Sequence, residues 1–380
     1  MFHSQKNSQK NRPNADKALI IKYSREIINK VLINPVENIN ENTANLYVSG
    51  SCNEQCGDSS QDYSRTMHLL YDTNELFKLI DEAEQQPDDV RRQMIKYLNQ
   101  TQSLGNKRYL TKAPTVSDVG ELRNNFPNFE KAIAAIERRA AISSLQGGSY
   151  AQLPILLLNG PPGIGKTTFA RAVAKMSGAP FFQVSLSSAT AGFTLGGLDL
   201  SWSSGRPGRI FSQLALSQVS NPVCLLDEVD KCSIDVRHSP IGPLFSLLEP
   251  DTARCWQDEA VPLKLDCSRI QWIATSNNID TIDPAILSRF EIIEVSSPAA
   301  SEARKISSKI YLKIIAEENI NDYFEKFLTE DVLDFLSIIS PRKMKSQILG
   351  ALGKAVLENR RILIVADFEK NSTTKRIIGF

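Results

Sequence analysis

The sequence predicts an α/β fold, a parallel sheet flanked by helices, followed by a helical lid and preceded by a small, mainly helical N-terminal region. Three observations point to it. Short apolar runs at 155–158, 181–186, 223–226, 270–275 and 290–295 alternate with segments of helical spacing, the pattern of right-handed βαβ units around a parallel sheet. The glycine-rich turn GPPGIGKTT at 160–168 sits directly after the first of these runs and directly before a helix-forming segment. Beyond Pro298 the strand-like runs stop and only helical spacing continues.

Taken in order, residues 1–16 are Asn, Gln, Ser and Lys-rich and hold too little apolar surface to order themselves, so a disordered leader is expected. Leu19, Ile20, Ile27, Ile28 and Val31 give 18–32 a helical face, and 38–64 is a polar loop. Residues 66–84 and 88–104 carry apolar residues at helical intervals, with Asp88 and Asp89 at the positive start of the second. The region 17–114 is thus a helical module, or an arm that packs on a partner. From about Thr115 the texture changes: Phe126 to Phe129 lead into a helix over 130–145, with Ile133, Ile136 and Ile142 expected on one face, and Gly147 and Gly148 end it. The lid is expected as helices over 302–317, 322–327, 330–338 and 342–361, followed by the apolar Ile362 to Val365 and a basic tail. The resulting division is 1–16, 17–114, 115–297, 298–366 and 367–380.

At 380 residues the chain suits two or three domains. Its 44 Lys and Arg balance 43 Asp and Glu, which excludes a global electrostatic attraction to nucleic acid or membrane while leaving room for a local basic patch. No apolar run spans a bilayer, and the first residues lack the apolar core of a signal peptide. A soluble cytoplasmic protein is the expectation. The six cysteines are scattered, as reduced structural thiols are. Cys52 and Cys56 form a CxxxC, half of a zinc site, but no second Cys or His pair follows at usable spacing.

The chemistry concentrates at three strand ends. In the first turn, Gly160, Pro161, Pro162, Gly163, Ile164, Gly165, Lys166, Thr167 and Thr168 have the setting of a P-loop. Backbone N–H groups close around phosphate oxygens, the following helix points its positive end at them, Lys166 reaches the β- and γ-phosphates, and the Thr167 hydroxyl holds Mg²⁺. The second strand, Val223 to Leu226, ends in Asp227 and Glu228. Asp227 is placed to hold Mg²⁺ through its water shell and Glu228 to polarise a water for attack on the γ-phosphate; a solvated acidic turn is the plainer alternative. The third, Ile273 to Ser276, runs into Asn277, which either orients that water or is ordinary turn chemistry. Arg289, before the last strand, is by itself a surface arginine.

GPPGIGKTT, LLDEVDK (225–231), IATSNN (273–278) and AILSRFE (285–291), in this order and spacing, resemble the AAA+ ATPases, and most closely the ATPase module of Lon proteases. The resemblance runs from about 128 to 358 and is densest over 160–295, where it includes Pro207 to Ile210 and Asn221-Pro222. It implies an ATPase using ATP and Mg²⁺, with Asn277 as sensor 1, Arg289 as an arginine finger acting on a neighbouring subunit, and Arg342, in Ser340-Pro-Arg-Lys343, as sensor 2. A homo-oligomeric, hexameric ring follows from a finger supplied in trans.

Two further segments bear on what the ATPase moves. The Gly/Ser-rich stretch 197–208 matches the position of Lon's substrate-gripping pore loop, with Trp202 where that family places a Tyr. A large aromatic on such a loop can grip a polypeptide of any sequence, the plainer alternative being a core tryptophan, which the neighbours Ser201, Ser203, Ser204 and Gly205 do not suggest. Residues 248–270 resemble the hairpin before sensor 1, in which Trp256 is either a second pore contact or a hairpin anchor. Lon's catalytic Ser and Lys peptidase domain and its N-terminal substrate domain have no counterpart here, so the expectation is a stand-alone Lon-like ATPase without protease activity that unfolds, remodels or translocates a protein client. Two alternatives are a nucleic-acid motor or loader, for which no basic stripe is evident, and a nucleotide-gated assembly switch in a stress or defence system, whose tail residues Gly379 and Phe380 would dock on a partner.

Overall fold

The computed structural model describes residues 66–145, 147–187, 191–232 and 241–368. The leader, the 18–32 helix, Cys52 and Cys56, and the basic tail lie outside the described residues. The N-terminal part opens with strand β1 (Met67–Leu69), then helices α1 (Thr73–Ala83) and α2 (Asp88–Ser103) and strand β2 (Lys107–Tyr109). A helix was expected from 66; instead Met67, His68 and Leu69 alternate exposed, buried, exposed and pair antiparallel with β2. The helix starts only after Asp72, whose side chain accepts the Asn74 amide at 2.8 Å, a local cap that outweighs helical spacing upstream. Leu70, Leu76 and Leu98 join one core cluster with Phe211, Leu214 and Leu226. Arg108, 1% exposed, reinforces this joint by donating to the Leu104 and Ala215 carbonyls, each at 3.0 Å. The segment is therefore packed onto the α/β unit as part of its core.

Helix α3 (Val116–Asn125) begins with a reciprocal Thr115–Asp118 capping box, and α4 (Glu130–Leu145) follows a 3-10 turn over Pro127–Phe129. Ile133 and Ile136 are fully buried but Ile142 is 50% exposed. It was expected on their face; nine positions beyond Ile133, at about 100° per residue, it points the opposite way.

The sheet uses β3 (Leu156–Asn159), β4 (Phe181–Ser185), β5 (Val223–Asp227), β6 (Gln271–Ser276) and β7 (Glu291–Glu294). All four pairings are parallel, in the order β4-β5-β6-β3-β7. The fold class and all five strands are as expected, each within a residue or so at its ends. Between them lie α5 (Lys166–Met176), α6 (Ala191–Gly196), α7 (Arg209–Ala215), α8 (Ile241–Leu247), α9 (Pro250–Ala253) and α10 (Pro284–Leu287). From β3 the chain leaves for β4 at one edge and returns for β7 at the other, so β3 and β6 flank the point where strand order reverses, the usual place for a ligand in such sheets. Buried Leu156, Leu157 and Leu158 pin β3 from both faces, each worth about 2 kcal/mol of burial.

The lid has its own core of Tyr311, Ile315, Leu336, Ile348 and Leu352, built from α11 (Ala300–Glu317), α12 (Glu330–Ser337) and α13 (Pro341–Leu357). The helix expected at 322–327 is a run of turns. Six residues are too few to nucleate a helix unaided, and the Glu325 backbone is engaged instead by the Tyr311 hydroxyl and by the Arg361 carbonyl.

Candidate functional site

Gly160 leaves β3 against the neighbouring strand end. Its amide donates to the Ser276 carbonyl at 3.2 Å, and a Cβ there would lie 2.1 Å from the Val295 carbonyl oxygen, so no other residue fits. Gly165, at φ +106°, turns the chain into α5, a left-handed conformation that glycine adopts without strain. The start of α5 is fixed from behind by Phe169, which stacks on Phe129 with centroids 4.5 Å apart. Pro161, Pro162 and Thr168 are exposed, Gly163 and Thr167 half-buried, and Ile164 buried.

Lys166 is 8% exposed. Its ammonium donates to the Gly160 carbonyl at 2.5 Å, the Pro161 carbonyl at 3.0 Å and Asn277 Oδ1 at 2.9 Å. Burial lowers its pKa, Asp230 and Asp227 act against that, and Arg342 adds to it. The expected water-orienting Asn277 is thus brought directly to the P-loop lysine.

At the end of β5, Asp227 accepts from Gln183 Nε2 at 2.7 Å through one oxygen and from the Thr275 hydroxyl through the other. The same Thr275 oxygen accepts the Glu228 amide at 3.1 Å. Glu228 has φ 60° and ψ 53°, a left-handed conformation that costs a non-glycine residue about 1–2 kcal/mol and here turns its side chain off the strand. Its carboxylate lies 2.5 Å from the Lys231 ammonium. That bond, then Ser187 and the charge of Arg342, outweigh desolvation and hold Glu228 below the usual carboxylate range. Asp230 contributes a buried oxygen, Oδ1, with no hydrogen-bond partner.

Arg342 is the second residue of α13, and its amide donates to the Gly163 carbonyl at 3.2 Å, so the lid touches the P-loop. Arg289 is not brought to this cluster. It bonds the Ala285 carbonyl, lies 4.0 Å from a Glu249 oxygen, and holds its guanidinium 4.8 Å from the Phe245 ring centroid.

Trp202 is 67% exposed at the tip of a loop closed by Leu198 and Arg206, which exchange both backbone bonds at 2.9 Å. Trp256 is 5% exposed and pairs antiparallel with Leu265, which decides between its two readings in favour of the hairpin anchor. Sequence reasoning missed Gln183, Asp230, Lys231 and Thr275. A polar Thr in an otherwise apolar buried strand was the available signal for Thr275, and Lys231 lies only three residues beyond Glu228; Gln183 and Asp230 depend on which segments meet.

The arrangement suits a nucleoside triphosphate with a hard cation. A glycine cradle stands at a helix N-terminus, a lysine and an arginine lie beside it, and the oxygen donors Thr167 and Asp227 match what Mg²⁺ takes. No separate group of His, Cys, Asp and Glu able to hold a metal exists among the described residues, where the four cysteines are free thiols. No helix among them is long and apolar enough to cross a membrane.

Residues 156–297 match the profile of the ATPase family associated with various cellular activities (AAA). Lon protease of Mycoplasma mobile is 35% identical over 184 residues, 48% of this chain and 22% of its own length. The peroxisomal Lon protease homolog 2 of Caenorhabditis elegans is 40% identical over 152 residues, 40% of this chain and 20% of its own. The chain thus spans about a fifth of the length of these relatives. Among solved structures, the S. cerevisiae Hsp104:casein complex in its extended conformation shares the fold, with a TM-score of 0.51 at 21% identity over 65% of this chain and 49% of that one.

Proposed function

Since residues 156–297 form an AAA ATPase domain related to the ATPase module of Lon, we propose that the chain assembles into a homo-hexameric ring and hydrolyses ATP to unfold, remodel or translocate a protein client. The observation that carries the client assignment is Trp202. Of the three tryptophans, Trp256 and Trp272 are buried, whereas Trp202 stands 67% exposed on a hydrogen-bonded loop. Its apolar face can hold polypeptide without regard to sequence. The relatives are named as proteases, which also favours a polypeptide client, and no peptide-bond hydrolysis is assigned to the described residues.

In this reading Lys166 exchanges its carbonyl partners for β- and γ-phosphate oxygens, which as anions accept more strongly. Thr167 and, through water, Asp227 would hold Mg²⁺, whose charge offsets that of the phosphates. Glu228 takes the proton of the attacking water, Asn277 orients that water, and Arg342 carries nucleotide state to the lid. Arg289, remote from its own P-loop, serves the site of the next subunit.

The test is Trp202→Ala in the assembled protein, measured on unfolding of a labelled client and on ATP turnover together. A fall in client unfolding of about tenfold or more per ATP hydrolysed is expected, on the scale of a lost aromatic contact. Client unfolding at the parental rate with parental ATP turnover refutes the client role.

A further inference from the structure

We propose that Asp258 is a positioning residue for the Trp202 loop, a buried carboxyl that clamps both roots of that loop to the segment leading into β6. The inference rests on the reading of Trp202 as the client contact.

The loop leaves the body at Gly197 and returns at Gly208. Asp258, 1% exposed, stands between the two. One of its oxygens accepts the Gly208 amide at 2.8 Å and the other accepts the Ala260 amide at 2.8 Å. A Cβ on Gly197, at φ +85°, would lie 2.3 Å from the second oxygen, and a Cβ on Gly208 would lie 2.6 Å from the Gly197 nitrogen. Both roots are therefore bare backbone pressed against each other and against one carboxyl. Next to it, the Glu259 amide donates to the Gly196 carbonyl at 2.8 Å, so consecutive residues hold the two strands of contact.

A buried acid with only backbone donors around it is costly, but an apolar side chain in its place would leave the buried Gly208 and Ala260 amides without an acceptor. What the carboxyl adds is direction: two acceptors on one rigid group set the spacing between a loop root and the Ala260 turn. Ala260, Val261, Leu263 and Leu265 beyond it are buried, and the chain then enters β6, whose end carries Asn277. Asp258 thus ties the Trp202 loop to the element that also reaches Lys166.

Burial pushes the Asp258 carboxyl up to about 7, against the Gly208, Ala260 and Val261 amides that lower it, with the Glu259 charge raising it further. The Cys267 thiol shares the surroundings and is itself pushed up, by burial first and then by Asp266 and Asp258. A carboxyl freed by loop opening returns toward its ordinary value, so the clamped loop is favoured while Asp258 is protonated. That advantage is lost as pH rises through about 7.

Hydrogen exchange on the full chain tests this. In Asp258→Ala, the amides of Leu198, Gly205, Arg206 and Gly208 should exchange about tenfold faster or more, the scale of a lost buried acceptor, while those of β5 and β6 keep their protection. In the parent, loop opening corrected for intrinsic exchange should rise from about pH 4 to about pH 7 and level off above, and in Asp258→Asn it should be flat. Unchanged loop exchange in Asp258→Ala, or the same pH profile in the parent and Asp258→Asn, overturns the clamp; if Asp258→Ala does not fold, the pH profile decides. With fluorescein-labelled casein as client probe, adding Asp258→Ala to Trp202→Ala should cause no further loss, and an additive loss overturns action through Trp202. A client unaffected by Trp202→Ala removes the proposed function, while the exchange arm still judges the clamp.

Discussion

The Lys166 ammonium has three N–H donors, and Gly160, Pro161 and Asn277 accept all three. In the proposed ATP-bound state, phosphate oxygens would have to replace some of these partners. Glu228 is restrained in a parallel way, by the 2.5 Å bond from Lys231, which sets its low pKa. Because a depressed carboxylate stays ionised to lower pH, a base at Glu228, as proposed, would be available further into the acid range than a free glutamate. Lys231→Met should move the acid limb of the ATP-hydrolysis profile to higher pH, read from turnover across pH 4 to 7 at saturating ATP. Glu228→Gln should keep nucleotide binding yet slow turnover by about a hundredfold or more; a profile unmoved in the first variant, or parental turnover in the second, removes the assigned role of the pair.

At the scale of elements, the lid ends in an ion pair that closes its core. Asp367, 3% exposed, accepts from Arg360 Nη1 at 2.8 Å and from Nη2, and from the Ile364 amide at 2.9 Å. Burial alone would raise its pKa, but the Arg360 bonds and this amide outweigh burial and lower it. Its stabilising contribution is present above the unfolded carboxylate value and is lost as pH falls through the folded one. Arg360→Ala leaves that carboxylate without its cation, so the urea-denaturation midpoint at pH 7 should fall, and the difference from the parent should shrink toward zero in acid. Elements also show where local pattern stops being sufficient. The five strands and the P-loop turn were legible because each is a contiguous run with its own period or geometry. Ile142 was misplaced because apolar residues at roughly helical intervals do not share a face once the angle accumulates to a half turn. Residues 322–327 were misread because their backbone partners, Tyr311 and Arg361, lie outside the segment.

Across the whole molecule, the proposed catalytic groups divide into two sets. Lys166, Asp227, Glu228, Asn277 and Arg342 converge at the ends of β3, β5 and β6, whereas Arg289 is held among Ala285, Glu249 and Phe245. A guanidinium with that placement is suited to a site on a second copy of the chain. Arg289→Ala and Lys166→Ala should each be inactive alone, the first keeping an intact P-loop and the second an intact finger. Mixed before assembly, they should regain ATP turnover, because some junctions pair a whole P-loop with a whole finger; a mixture as inactive as its components excludes a finger in trans.

The amino-acid order by itself determined the parallel α/β class, the strand-turn-helix setting of Gly160 to Thr168 and the carboxylates that follow β5, since each depends on neighbours in the chain and on the backbone preferences of glycine and of apolar runs. Only tertiary structure decided that Asn277 bonds Lys166, 111 positions away, that Trp202 faces water while Trp256 is buried, and that Asp258 meets Gly208 across 50 residues. Those outcomes depend on burial and on which strand ends are brought side by side, quantities that arise only when distant segments pack together.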